Sequence, residues 1–117
     1  MAFPGTYNFN YYRGDTAEFV IRPKTANGSA YDLTNYTATF TIANRRGSTG
    51  TQYVAAAVAN ATTDIITCTI TPAVGRTLAA GTYVYDVQIT NAIPNPDVIL
   101  TILNGSVTVT DDITGAV

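Results

Sequence analysis

A chain of 117 residues, 46% apolar and only 12% charged, has the size and composition of one domain with a proper core; this excludes a disordered tail and a second conventional core. Six basic against eight acidic residues, with no basic block, leave a net charge of −2 and argue against a nucleic-acid backbone as partner. Histidine is absent, which removes the commonest general base and the commonest transition-metal ligand.

The N-terminus, Met1 to Gly5, has neither a basic region nor an apolar stretch of signal-peptide type, so the chain is expected to be made and folded in a cytoplasm. Tyr7, Phe9 and Tyr11 then alternate with Asn8, Asn10 and Tyr12. This pattern fits two structures: the first strand of the domain, or an extended arm that adds to a neighbour's sheet edge through backbone bonds and alternate aromatics. Residues 1–12 are therefore set apart from a domain over 13–117, and Phe3, Tyr7, Phe9 and Tyr11 are the candidate partner interface. On the arm reading, deleting 1–12 leaves a folded domain that no longer assembles. Arg13-Gly14-Asp15 is an RGD tripeptide, but three-residue matches are cheap, and a turn entering the next strand is the reading adopted.

Period-two alternation dominates the rest of the chain. Thr16–Arg22 places Ala17, Phe19 and Ile21 on one face, and Thr37–Ile42 places Ala38, Phe40 and Ile42 on one face. Tyr53–Ala59 is small and apolar on both faces, so its limits are weak. Ile65–Thr71 alternates Ile66, Cys68 and Ile70 with threonines, and Gly81–Thr90 alternates Tyr83, Tyr85, Val87 and Ile89 with polar residues. Turn-forming residues separate these runs, at 25–29, 46–50, 60–64 and 91–97. The stretch from Pro72 to Ala80 has room for one helical turn. Leu78-x-x-Gly81-x-Tyr83 has the form of a tyrosine corner, whose hydroxyl bonds back to upstream backbone where an immunoglobulin-like sandwich crosses between sheets. Asn104-Gly105 ordinarily marks a hairpin; a bulge here, letting 98–110 run as one bent strand, is preferred. The expected fold is all-β, an antiparallel immunoglobulin-like sandwich of about seven strands with a short helical turn near 72–80.

Catalytic apparatus is missing from the sequence. Lys24 is the only lysine, and no serine stands in an S-x-x-K frame beside it. There is no phosphate-binding glycine loop, and the aspartates fall mostly in loops and at strand ends, where they satisfy backbone amides. Cys68 is alone, so it forms no intramolecular disulfide, and its alternating context makes it a small buried hydrophobe. Asp111-Asp112 with Asp15 offers hard oxygen ligands but no calcium-loop spacing. The expectation is a protein without enzymatic activity, metal or cofactor.

Gly14-Asp15-Thr16, Asp32-Leu33-Thr34-Asn35-Tyr36, Thr71-Pro72, Leu78-x-x-Gly81-x-Tyr83-x-Tyr85-Asp86-Val87-Gln88 and Gly105-x-Val107-Thr108-Val109 with Asp112-Ile113-Thr114 succeed one another in order. Over roughly residues 13–114 this succession resembles the small immunoglobulin-like domains of tailed-bacteriophage virion proteins. The resemblance implies a non-enzymatic structural component of the particle: a tail, baseplate or fibre-attachment protein held by contacts with other virion proteins in many symmetric copies. It brings no nucleic-acid or membrane partner and no catalytic residues. Two alternatives accompany it: a head-decoration protein, and a receptor- or carbohydrate-binding module using Tyr31, Tyr36 and Tyr53.

Overall fold

The alternating runs are strands in the computed structural model, which describes residues 5–25, 27–47, 51–91 and 98–111. In chain order they are β1 (Gly5–Thr6), β2 (Phe9–Tyr12), β3 (Ala17–Ile21), β4 (Tyr36–Ala43), β5 (Gln52–Asn60), β6 (Ile65–Ile70), β7 (Gly81–Asn91) and β8 (Val98–Thr110), with α1 (Pro72–Gly75) between β6 and β7. The turn of α1 starts where local chemistry dictates. Thr71 Oγ1 accepts from the Val74 N–H, and Pro72 occupies the first turn, where a missing N–H is tolerated.

The strands are ordered β1-β8-β7-β4-β5-β6-β3, with β2 beside β8. Strand β5 turns the corner of this curled sheet: Gln52–Ala55 pair with β4, and Ala56–Asn60 pair with β6. The result is an all-β half-barrel. Its inner wall is the set of residues the alternation places inward: Phe40 and Ile42, Ile66, Cys68 and Ile70, Val87 and Ile89, and Val107 are all 0% exposed. Each such aliphatic side chain contributes roughly 1.5–3 kcal/mol by leaving water.

One expectation needs correcting. The sheet is mixed rather than antiparallel, because β1 and β2 run parallel to β8, Phe9 opposite Val107 and Tyr11 opposite Val109. Alternation specifies which face a residue takes and carries no information about the direction of the neighbouring strand. The chain leaves β2 through a turn in which the Asp15 N–H donates to Tyr12 O at 3.0 Å and Gly14 takes φ +86°. Here the RGD tripeptide is a turn, and Arg13 Nε and Nη2 bond the carbonyls of Leu78 (2.9 Å) and Arg76 (2.7 Å).

A second correction concerns β8. It runs unbroken from Val98 to Thr110, but the irregularity is not at Asn104-Gly105, which pair regularly with Asp86 and Tyr85. The register shifts where Val87 opposes Leu103 and Gln88 opposes Thr101, so Ile102 is the extra residue. Glycine at 105 answers a different need. A Cβ there would overlap the carbonyl oxygen of Tyr7, where the chain between β1 and β2 lies against β8.

Candidate functional site

Hydroxyl and guanidinium groups pin the loops that frame the half-barrel. Tyr83 Oη donates to Ala79 O at 2.8 Å across the entry to β7; Leu78 is buried and Gly81 is exposed. Tyr11 Oη donates to Asp15 O at 2.6 Å, and Tyr85 Oη donates to Tyr7 O at 2.5 Å. Loop aspartates behave as backbone caps: Asp64 Oδ1 accepts from Leu33 N–H, and Asp32 Oδ1 accepts from both the N–H and the hydroxyl of Thr34. Those bonds hold the Asp32 carboxyl below its usual range.

The groups with chemical potential are dispersed. Cys68 is fully buried, and burial pushes its thiol up to about 12, which suppresses the reactive thiolate. On the outer face of β4 and β7 a shallow hollow of about 400 Å³ is lined by Thr41, Arg45, Arg46, Gln52, Asp86 and Gln88. Burial raises the Asp86 carboxyl there, and the nearby Arg46 charge opposes the shift. Its cross-strand neighbours are Thr41 and Asn104, both neutral, and the other charges lining the hollow are those of Arg45 and Arg46. Among the described residues no cluster of three or more Cys, Asp or Glu has the arrangement to hold a metal ion. Asp112 lies outside the described residues.

The four aromatics expected at a partner interface separate. Phe3 lies outside the described residues. Tyr11 is only 3% exposed and serves this chain's own core. Phe9 is half-buried, whereas Tyr7 is 47% exposed. Tyr7 stacks on Phe9 at 5.5 Å between centroids, and both meet Phe19 of β3, at 5.7 and 5.5 Å. Phe19 in turn packs edge-on against Phe40 at 5.5 Å. The N-terminal segment along the free edge of β8 and β3 at the far end of the strand order are thus joined by rings, and among the described residues no strand pairing links them. Beside the seam lies a hollow of about 370 Å³, lined by Tyr7, Phe19, Val20, Ile21, Arg22 and Leu103. Sequence reasoning does not single out Phe19 or Leu103, because alternation places Phe19 among ordinary inward residues and Leu103 closes a largely apolar run without alternation.

Tyr31, Tyr36 and Tyr53 are half-buried against the core. The hydroxyls of Tyr31 and Tyr36 are 3.0 Å apart, and the Tyr53 ring meets Tyr83 edge-on. Each of the three rings packs on another ring of this chain and keeps part of its surface exposed. The bond to Tyr36 and burial push the Tyr31 phenol up to about 12, and burial raises Tyr83 and Tyr85 as well. Because these folded-state values lie above the ordinary 10.0 for tyrosine and 9.0 for cysteine, their stabilisation is complete below about pH 9 and drains away as pH rises toward 12. The urea midpoint is therefore expected to hold steady up to about pH 9 and fall beyond it, less steeply in Tyr85→Phe. A midpoint still flat at about pH 11 would show that these groups are not buried as described.

No family model matches the sequence, and no curated protein is detectably similar to it. A solved structure of a family 123 glycoside hydrolase from Clostridium perfringens is similar over 93% of this chain and 23% of that one, at 14% identity and a TM-score of 0.40. The chain thus spans about a quarter of that enzyme's length, and a likeness of this degree carries no functional argument.

Proposed function

We propose that this chain is a non-enzymatic structural component of a bacteriophage particle, at its tail, baseplate or fibre-attachment point, and that its half-barrel is an immunoglobulin-like sandwich. The observation that carries the proposal is the ordered run of motifs that includes Tyr83-x-Tyr85-Asp86-Val87-Gln88. Two features of the fold support the finer reading. Tyr83 bonds back to Ala79 as a tyrosine corner does, and β3, β6 and the second half of β5 make one layer while β2, β8, β7, β4 and the first half of β5 make the other.

Such a protein works by contact. Its outer β4–β7–β8 face carries Thr37, Thr39, Thr41, Gln88, Thr90 and Thr101 with the exposed Ile99 around the carboxylate of Asp86, a surface whose contacts are mostly neutral hydrogen bonds, the charges of Arg45 and Arg46 lying at its margin. Its partners are other virion proteins, met in many symmetric copies, with neither a membrane nor a nucleic acid involved and no cofactor required. Its place is the virion. Quantitative mass spectrometry of gradient-purified particles tests the proposal. A fixed copy number per particle is the expected result; recovery from the infected-cell lysate alone, with none in the particles, overturns it.

A further inference from the structure

Strand β3 ends the sheet. Among the described residues it pairs with β6 alone, so one side of Ala17–Ile21 presents backbone donors and acceptors without a strand partner. Its inward residues also lack full cover. Ala17, Phe19 and Ile21 are only half-buried, although Ile66, Cys68 and Ile70 opposite them on β6 are 0% exposed. The hollow beside Tyr7 and Leu103 lies along this edge, and Val20 is 42% exposed on the outer face between Glu18 and Arg22, both exposed.

We infer that this edge pairs with the same edge of a second copy, antiparallel and two-fold symmetric about Val20. The charges select that arrangement. With Val20 opposite its counterpart, Glu18 of each copy faces Arg22 of the other, and Phe19 of each faces Ile21 of the other. The outer face then reads acid, valine, base against base, valine, acid, and the inner face joins two apolar pairs. Moving the centre by one residue sets a charge against Val20. Moving it by two opposes Glu18 to Glu18 or Arg22 to Arg22. Slips by odd steps in pairing would set inward residues against outward ones. An edge flanked by charges normally repels strangers; here opposite signs four residues apart make it complementary to itself. The pairing extends the β3–β6–β5 layer into a continuous six-strand layer across the dimer, the second copy's Ile21 and Phe19 covering the half-buried Phe19 and Ile21.

This inference does not depend on where the protein resides, and it is tested on the purified full chain. Sedimentation velocity over a wide concentration range is expected to show a monomer–dimer equilibrium. Glu18→Arg and Arg22→Glu should each weaken it about tenfold or more, since each sets like charges in both pairs, whereas an equimolar mixture of E18R and R22E restores opposite charges and should recover the dimer. Recovery in the mixture also shows that neither variant is misfolded. Val20→Cys should form a symmetric disulfide under mild oxidation, Cys68 being buried and inert. A chain that stays monomeric at every concentration overturns the inference, as does a dimer insensitive to both reversals. A dimer lost in E18R while particles still incorporate that variant at full copy number rejects edge pairing as an assembly contact and leaves the virion assignment standing.

Discussion

Deletion of residues 1–12 is expected to abolish the folded domain rather than release it from a partner. Strands β1 and β2 are the only cover along the outer edge of β8 among the described residues, and with them go the pairings of Phe9–Tyr12 to Val107–Thr110. The larger loss is Tyr11. Its ring is 3% exposed, its hydroxyl fixes Asp15, and it sits so close above Gly75 that a Cβ there would overlap the hydroxyl. Removing a buried aromatic costs about 3–5 kcal/mol. Deletion also removes Phe9 from the ring seam and strips Tyr85 Oη of its acceptor, leaving a buried hydroxyl unsatisfied at a further ~1–3 kcal/mol. Against a total stability of about 5–15 kcal/mol for a domain, these losses together are decisive. Near-UV circular dichroism should vanish and urea unfolding should lose its cooperative transition. Tyr11→Phe, which keeps the buried ring and forfeits the bond to Asp15, should stay folded and lose about 1 kcal/mol. A truncated chain with a sharp transition would restore the reading of residues 1–12 as an accessory arm.

Legibility in the sequence divides along a physical line. Strands whose two faces meet different surroundings declare themselves: alternation predicts β7 at Gly81–Thr90 and the strand runs Gly81–Asn91, because Tyr83, Tyr85, Val87 and Ile89 face the core and their neighbours do not. Strand β5 is faint for the complementary reason. It pairs with β4 over one half and β6 over the other, so its small residues serve two parts of the curl and no single face stays apolar throughout. Direction and register are invisible. Nothing in Tyr7-x-Phe9-x-Tyr11 encodes a parallel partner, and the bulge at Ile102 hides inside the largely apolar run from Val98 to Leu103. The aromatic seam is half legible. Tyr7, Phe9 and Tyr11 are conspicuous as a group, but Phe19 looks like any inward strand residue, and its meeting with Tyr7 and Phe9 depends on how far the sheet curls. The open edge of β3 likewise depends on strand order, which only the folded chain reveals. The charges of Glu18 and Arg22 acquire meaning once that edge is known to be exposed.

Gly105→Ala is expected to be the most damaging methyl that can be added to β8. The position has no left-handed backbone to accommodate; the constraint is space, because the new Cβ would occupy the volume of Tyr7's carbonyl oxygen. A flexible side chain in the way could swing aside, but a backbone carbonyl moves only with its strand. Three bonds anchor that segment: Tyr7 N–H to Asn104 O at 3.0 Å, Ser106 N–H to Asn8 Oδ1 at 2.9 Å, and Tyr85 Oη to Tyr7 O. Relief of the overlap therefore breaks at least one of them and tilts the Tyr7 ring away from Phe9 and Phe19. Overpacking of this kind costs about 1–3 kcal/mol, and a lost buried bond adds ~1 kcal/mol. A 117-residue domain should then melt roughly 10 °C or more below the parent. The same alanine at Gly28, where φ is +89° and nothing lies within 4 Å, meets only backbone strain and should cost about 1 kcal/mol. Tyr85→Phe shares the Tyr7 carbonyl with Gly105→Ala, so the double variant should lose less than the sum of the two single losses. Full additivity, or a melting temperature for G105A equal to the parent's, would mean that the Tyr7 carbonyl does not lie against Gly105.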